Sequence, residues 1–182
     1  GTLDVVIAAK GPGTQWLAGL RAHDKVDVVA PLGRPFPIPT EPVACVLVGG
    51  GYGSAPLFWL ADVLRERGCH VEMVLGAASE DRLFGVVEAR RSADGVTVTT
   101  DDGSAGRRGW VSDVLPEVIT RTSAAVVYGC GPMGMLRSIT APDSRFLNRV
   151  RVNAAPLPGL MNWNSTTVYG LPSMRTLRPL RI

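Results

Sequence analysis

The chain has 182 residues, of which 46% are apolar, and its formal net charge at pH 7 is +3. This length fits one large domain or one and a half small ones, and no apolar run is long enough to cross a membrane. The basic residues are scattered except near the C-terminus, which argues against nucleic-acid binding. Neither a leader sequence nor a disulfide framework is indicated, so we expect a cytoplasmic protein.

The first forty residues alternate short apolar stretches with glycine-rich and proline-rich breaks. Residues 3–10 and 25–29 are predicted strands, and Thr14 can cap a short helix over residues 15–20. The prolines in residues 31–39 exclude regular structure there. Because two or three strands leave open edges, this region is expected to be part of a β-barrel whose other strands are absent or come from another chain.

From residue 43 onward, strand patterns alternate with helix patterns. Strands are predicted at residues 43–48, 71–75, 96–100 and 124–128, with a weaker candidate at 149–153. Helices are predicted from Ser54 to Gly68, from Ser79 to Leu83, over 86–91, over 111–120 with a cap near Ser112, and over 133–139. This alternation predicts an α/β fold, with a small parallel sheet and helices on both faces. The residues after 155 are expected to be irregular.

The most informative stretch is residues 49–56, where a buried strand ends in glycines and a helix begins at once. Glycines let the backbone approach a ligand, and the N–H groups of a helix N-terminus attract a diphosphate. We expect Ser54 to cap this helix and Pro56 to lie in its first turn. For this stretch alone, a tight turn between two core elements is the alternative interpretation.

Three further glycine-bearing loops follow the other predicted strands. In a parallel sheet the loops that follow the strands share one edge, and α/β proteins bind ligands at that edge. The four loops are residues 49–53, the loop at Gly76, residues 101–106 and residues 129–133. Together they predict a site for a nucleotide or another small molecule.

These loops also carry a recognisable set of motifs. The motifs are Gly11-Pro12-Gly13-Thr14, Pro31-Leu32-Gly33, Gly49-Gly50-Gly51-Tyr52-Gly53-Ser54-Ala55-Pro56-Leu57, Thr100-Asp101-Asp102-Gly103-Ser104-Ala105-Gly106 and Tyr128-Gly129-Cys130-Gly131-Pro132-Met133. Over residues 3–140 the chain resembles the electron-transfer subunits of bacterial dihydroorotate dehydrogenases, within the ferredoxin–NADP reductase superfamily. The resemblance implies a partial flavin-binding β-barrel at residues 1–40, an NAD-binding α/β domain at 41–142 and an iron–sulfur-type segment at 143–182.

In that family NADH gives a hydride to FAD, and single electrons leave through a [2Fe–2S] cluster. The resemblance therefore implies the following sets of site residues. The NAD diphosphate would lie against Gly49, Gly50, Gly51, Gly53 and Pro56, and the nucleotide near Asp101, Asp102 and Ser104. The nicotinamide and flavin rings would lie by Cys130, a catalytic candidate, and by Gly131, Pro132 and Met133. Gly11, Gly13 and Thr14 would match the turn that binds the flavin phosphate in the family.

Each of these assignments has a plainer alternative. Cys130 can be a small residue that only packs, and Asp101 and Asp102 can form a solvated turn. For residues 11–14 a simple turn is favoured, because the early barrel strands of the family, with their flavin-holding motif, are missing. FAD would therefore have only half of its site.

The iron–sulfur segment also departs from the family pattern. Where the family has cysteines, this sequence aligns Trp163, Val168 and Leu171, and no cysteine follows Cys130. A [2Fe–2S] cluster needs thiolate or, rarely, imidazole ligands. We therefore predict no cluster and no other metal site.

Three functions fit these observations. The favoured one is a nicotinamide-dependent flavin reductase or electron-transfer module. The others are a repurposed non-redox enzyme, such as a cyclase or isomerase, and a non-catalytic subunit. An open barrel edge would suit a second copy of the chain or a dehydrogenase partner. The choice between NADH and NADPH stays open, since residues 76–79 carry no acidic group and Arg82 is more simply a surface residue.

Overall fold

The computed structural model describes residues 5–30, 32–33, 35–140 and 151–156. The chain divides into two compact units, one formed by Gly1–Pro35 with Leu160–Ile182 and the other by Phe36–Gly159. The helices are α1 (Pro12–Gly19), α2 (Ala55–Glu66), α3 (Val86–Ser92), α4 (Val111–Thr122) and α5 (Met133–Thr140). The strands are β1 (Ala44–Gly50), β2 (His70–Ala77), β3 (Gly95–Thr100), β4 (Arg107–Arg108), β5 (Val126–Gly131) and β6 (Arg151–Pro156).

The unit Phe36–Gly159 contains a six-stranded sheet in the order β4-β3-β2-β1-β5-β6, and every neighbouring pair is parallel. The predicted α/β fold is confirmed, and the predicted domain limits 1–40, 41–142 and 143–182 stay predictions. The two-residue strand β4 was not predicted. The glycines of residues 129–131, expected in a loop, lie instead inside β5.

Helices cover both faces of the sheet because buried side chains alternate along the strands. Val46, Val48, Val74 and Val127 belong to one apolar cluster with residues of α4 and α5. The intervening residues of β1 and β2 are equally buried and face the other side, where α2 packs on both strands. The apolar positions of α2 recur at helical spacing, and the helix buries them as predicted: Leu57, Phe58, Leu60, Ala61 and Leu64.

The expected helix caps are wrong in detail. Ser54 precedes α2, but its hydroxyl shares its one proton between the carbonyls of Gly51 and Phe84 and accepts no hydrogen bond from the helix. A 3₁₀ turn over Gly51–Ser54 connects β1 to α2. At α4 the capping interaction comes from Asp113, whose carboxylate accepts the Trp110 N–H at 2.8 Å. Ser112 is already inside that helix, and Ser79 likewise makes no capping bond to the 3₁₀ turn Glu80–Arg82.

The amino ends of the strands carry a network of charged side chains. The Glu72 carboxylate, buried in β2, accepts a hydrogen bond from the Arg121 guanidinium at 3.1 Å. Asp94, just before β3, accepts the Val71 N–H at 2.8 Å and lies 3.3 Å from the guanidinium of Arg65. These contacts tie the ends of α2 and α4 to the start of the sheet.

Tyr128 fixes the segment that leads into the sheet. Its side chain is fully buried in β5, and its hydroxyl donates a hydrogen bond to the Pro37 carbonyl at 2.7 Å. The Phe36 ring meets the Tyr128 ring edge-on, with 5.7 Å between centroids. Residues 36 and 37 are therefore part of the α/β unit.

In the other unit, the two predicted strands are not formed within residues 5–30. Residues 5–10 and 25–29 lie outside strands, and α1 is the regular element in that range. A strand requires a neighbour to pair its backbone N–H and C=O groups, and the sequence pattern alone does not supply one. The expected partial barrel is therefore not confirmed. The helix starts at Pro12, three residues earlier than predicted, with Gly11 as its N-cap.

Candidate functional site

The candidate site lies at the carboxyl ends of β1 and β5. The chain leaves β1 toward β2, β3 and β4 on one side and returns to β5 and β6 on the other. Ligands of open α/β sheets bind at such a reversal of strand order, because the two connections leave in opposite directions and open a crevice. Gly49 and Cys130 face each other there in register.

The turn Gly51–Ser54 lies at this reversal and touches the end of β5. A methyl group added at Gly53 would lie 2.5 Å from the Cys130 carbonyl oxygen and 2.7 Å from the Cα of Gly131. Both contacts are with backbone, so only glycine allows this approach. Gly51 has a φ of +53° and, in contrast, has space around it, since the nearest atom to an added methyl is 3.8 Å away.

The other glycines of the site are required mainly by the protein itself. A methyl group at Gly49 would meet Ser54 at 2.7 Å, and one at Gly50 would meet Pro132 at 2.8 Å. A methyl at Gly131 would lie 3.1 Å from the backbone nitrogen of Gly50. The carboxyl ends of β1 and β5 thus pack against each other without side chains between them. Gly51 is the position of this turn whose backbone a ligand can approach, which fits a diphosphate at the following helix.

Cys130 places a buried, uncharged thiol near the end of β5. The residue is 5% exposed, and burial raises the pKa of its thiol to about 11. The thiol therefore keeps its proton at neutral pH and is not a thiolate nucleophile. Pro132 follows the strand, and Met133 opens α5 with about half of its surface exposed. Of these residues, Met133 presents the larger surface to solvent, whereas Cys130 is buried.

The N-terminus of α2 points its first turn at the same edge. Pro56 is the second residue of the helix, where its missing N–H costs no hydrogen bond. Ser54 is 1% exposed, and its hydroxyl shares its one proton between the carbonyl oxygens of Gly51, at 2.7 Å, and Phe84, at 3.0 Å. The helix start is consequently fixed before any ligand arrives.

The loop after β3 is built around Asp102. Its carboxylate accepts hydrogen bonds from the Ser104 hydroxyl at 2.7 Å and from the Ser104 N–H at 2.9 Å, and these lower the pKa of Asp102. The Ser104 oxygen in turn accepts the Glu80 N–H at 2.8 Å. Asp101 is exposed, and its N–H donates to the carbonyl of Ala77. The loop therefore holds the turn after β2, while the Asp101 carboxylate faces solvent.

Arg82 belongs to the 3₁₀ turn Glu80–Arg82, which follows β2. Glu80 and Asp81 lie in the same turn, so acidic groups follow directly after residues 76–79, which carry none. The Arg82 carbonyl oxygen is the nearest atom to a methyl group added at Gly51. The turn after β2 thus borders the glycine turn.

The remaining predicted site residues belong to the other unit. Gly11 caps α1, and Gly13 and Thr14 lie in its first turn. The Thr14 oxygen accepts the N–H groups of Lys10 and Gly11 at 3.1 Å. Methyl groups added at the two glycines would meet no atom within 4 Å, so packing does not explain them.

Sequence reasoning missed one feature of the site, an aromatic pair beside the glycine turn. The Tyr52 ring packs against Phe84 with 5.5 Å between centroids, and 56% of Tyr52 is exposed. A bulky aromatic residue between two glycines of a turn was the available signal.

No protein-family model matches the sequence. The chain is 40% identical over 148 residues to the dihydroorotate dehydrogenase B (NAD(+)) electron transfer subunit of Geobacillus thermodenitrificans, which covers 80% of this chain and 55% of that protein. It is also 40% identical over 152 residues to the subunit of the same name from Bacillus caldolyticus, which covers 82% and 56%. The resemblance to these electron-transfer subunits is confirmed. The chain spans about half the length of the curated relatives it matches.

A solved structure supports the same relationship. The NADH-dependent reduced ferredoxin–NADP oxidoreductase, studied for flavin-based electron bifurcation, is 32% identical to the chain with a TM-score of 0.70. The match covers 86% of this chain and 55% of that one. The fold is therefore of the ferredoxin–NADP reductase type.

Two further observations concern only the described part of the chain. Within residues 5–30, 32–33, 35–140 and 151–156, no helix is long and apolar enough to cross a membrane. In the same ranges, no group of three or more His, Cys, Asp or Glu side chains could hold a metal ion. The positions aligned with the cluster cysteines, Trp163, Val168 and Leu171, lie outside the described residues, and the absence of a cluster stays a prediction.

Proposed function

We propose that the α/β unit binds NAD(P)H at the carboxyl edge of its sheet, as the nucleotide-binding part of a flavin-dependent electron-transfer module. The observation that carries the proposal is the reversal of strand order between β1 and β5, where the glycine turn Gly51–Ser54 leads into α2. Gly51, with space around it, and the protonated Cys130 thiol lie at this reversal. The names of the relatives favour the same activity.

Each part of the crevice has a distinct task in this proposal. The diphosphate lies on the turn Gly51–Ser54, where the positive end of the α2 dipole and free backbone N–H groups attract it. The nicotinamide ring lies at the end of β5, beside Cys130, Gly131, Pro132 and Met133. When bound, the nicotinamide supplies a hydride. The neutral thiol keeps charge away from the ring, and the small side chain leaves its face accessible.

Flavin binding is the less complete part of the proposal. The turn that holds Gly11, Gly13 and Thr14 has space for a phosphate, yet none of residues 5–30 is buried. FAD would therefore need further strands, from this protein or from a second chain. A dehydrogenase is the partner that the relatives suggest.

The first experiment is calorimetric titration of the purified protein with NADH and with NADPH, followed by visible spectra with FAD before and after NADH. Binding of either nucleotide supports the α/β site, and bleaching of a flavin band supports the reductase function. If neither nucleotide binds at millimolar concentration, the proposal is wrong.

The second candidate function is a non-redox enzyme on the same scaffold. It is favoured by the sequence after Cys130, which contains no cysteine to hold a [2Fe–2S] cluster. Iron and sulfide assays test this point directly. Stoichiometric amounts of both elements would contradict the predicted loss of the cluster and remove the support for this candidate.

A further inference from the structure

Tyr52 stands out because it exposes an aromatic ring in the middle of the glycine turn. It lies between Gly51 and Gly53, with 56% of its surface accessible. Single exposed apolar residues are common on proteins and need no explanation by themselves. The surroundings of this ring, however, fix its position.

Two further aromatic side chains, Phe84 and Phe58, pack in sequence behind the Tyr52 ring. Its centroid is 5.5 Å from that of Phe84, with the ring planes at 58°, and Phe84 is 6.2 Å from Phe58, which is 4% exposed. The Ser54 hydroxyl ties the turn to the Phe84 carbonyl at 3.0 Å. Gly85 has a φ of +73°, and a side chain there would overlap the Phe58 ring. One side of the Tyr52 ring is thus packed on Phe84, and the other side is exposed to solvent.

The side of the turn on which Tyr52 lies indicates which half of a dinucleotide would be near its ring. Gly53 contacts the end of β5, whereas Tyr52 faces Phe84, which follows the turn Glu80–Arg82 after β2. In dinucleotide-binding α/β folds, the pyrophosphate lies at the strand-order reversal and the adenosine ribose lies by the end of the second strand. The adenosine half therefore extends toward Tyr52, and the nicotinamide half toward Cys130.

We propose that Tyr52 is the platform on which the adenine ring of the nucleotide stacks. This inference rests on the proposed nucleotide-binding function and adds a positioning residue to it. Stacking of a base on an aromatic side chain is lost on substitution by a residue without a π face, with an effect of about tenfold or more on binding.

The test compares calorimetric binding of ADP-ribose, nicotinamide mononucleotide and the better bound of NADH and NADPH across four proteins. These are the wild type, Tyr52→Leu, Tyr52→Phe and Val87→Ala. Leucine keeps apolar contact with Phe84 but has no π face, and phenylalanine keeps the ring. Val87 on α3 is exposed to the same extent, 56%, and serves as the matched control.

We expect Tyr52→Leu to weaken ADP-ribose binding about tenfold and to leave nicotinamide mononucleotide binding unchanged, with Tyr52→Phe and Val87→Ala within twofold of the wild type. Thermal unfolding midpoints identify variants whose fold has changed. Should Tyr52→Leu bind ADP-ribose as well as the wild type, or lose the mononucleotide equally, the adenine platform is excluded.

The outcome also separates this inference from the proposed function. A wild-type protein that binds the dinucleotide but not ADP-ribose overturns the role of Tyr52 and leaves the proposed function standing. A wild type that binds none of the probes overturns both.

Discussion

The two ends of the parallel sheet are closed by different kinds of contact. At the carboxyl ends, backbone meets backbone, and the turn at Gly53 lies against Cys130 and Gly131. At the amino ends, long charged side chains meet, as in the Glu72–Arg121 pair. Backbone contacts need no side chains between the strand ends, whereas ion pairs fill the space with side chains. The proposed nucleotide site lies at the end that is closed by backbone contacts.

The largest expected effect comes from filling the carboxyl end. We expect Gly53→Ala to lower the free energy of unfolding by about 3 kcal/mol, because the new methyl group overlaps the backbone of β5 and neither side can yield. Urea unfolding measures the change, and nucleotide binding should weaken with it. Gly13→Ala is the control, since its methyl meets no atom within 4 Å. Equal stability of the two variants would show that backbone contact does not close this end.

The amino end should be weakened most by removing Arg121. Arg121→Ala leaves the Glu72 carboxylate, with 8% of its side chain exposed, without its guanidinium partner, and we expect a loss of about 2 kcal/mol in the free energy of unfolding. The matched control is Arg107→Ala, on an ion pair with Glu117 whose side chains are both more than half exposed. That substitution should change stability little, because solvent screens the pair. A similar loss in both variants would contradict the importance of burial.

The Cys130 thiol gives the carboxyl end a dependence on pH. Burial raises the pKa of this thiol to about 11, so the folded state keeps a proton that the unfolded state loses above its ordinary pKa of 9.0. The free energy of unfolding therefore falls as the pH rises from 9 to 11, and Cys130 contributes about 1.3 kcal/mol of the fall between pH 8 and 10. Urea unfolding of Cys130→Ala at both pH values should show a shallower decrease. An unchanged slope would mean that the thiol is not buried as described.

The smallest expected effect concerns a pair of neighbouring threonines in β3. Thr99 is 1% exposed, and its hydroxyl has no hydrogen-bond partner among the described residues, whereas the Thr100 hydroxyl bonds the Ala105 backbone at 2.8 and 3.0 Å. Thr99→Val should raise the free energy of unfolding by up to about 1 kcal/mol, and Thr100→Val should lower it by a similar amount. Thermal unfolding of the two variants is the measurement. A destabilised Thr99→Val would reveal a partner for that hydroxyl.

The elements of the α/β unit could be predicted because their signals are local. Leu57, Leu60, Ala61 and Leu64 mark α2 at helical spacing, and the glycine run after β1 marks the turn of the site. Side-chain partners could not be predicted in the same way. Glu72 and Arg121 are far apart in the sequence, and β4 is too short to show a periodicity.

The predictions that failed depended on partners that a single stretch does not reveal. Ser54 has the right residue type for a cap, yet its hydroxyl bonds Phe84, which only the folded chain brings close. Residues 5–10 have the apolar pattern of a strand, but a strand forms only where a neighbour pairs with its backbone. The order of the strands, which places Gly49 opposite Cys130, likewise needed the structure.

The central position of β1 also has a consequence for how the chain acquires its structure. β1 can pair with β2 soon after both are synthesised, but its other neighbour, β5, comes much later in the sequence. Contacts between distant segments carry a greater loop-closure cost and slow folding. The junction of β1 and β5 is therefore expected to form late during biosynthesis. A nucleotide that recognises it would select chains that have finished folding and would protect them from proteolysis.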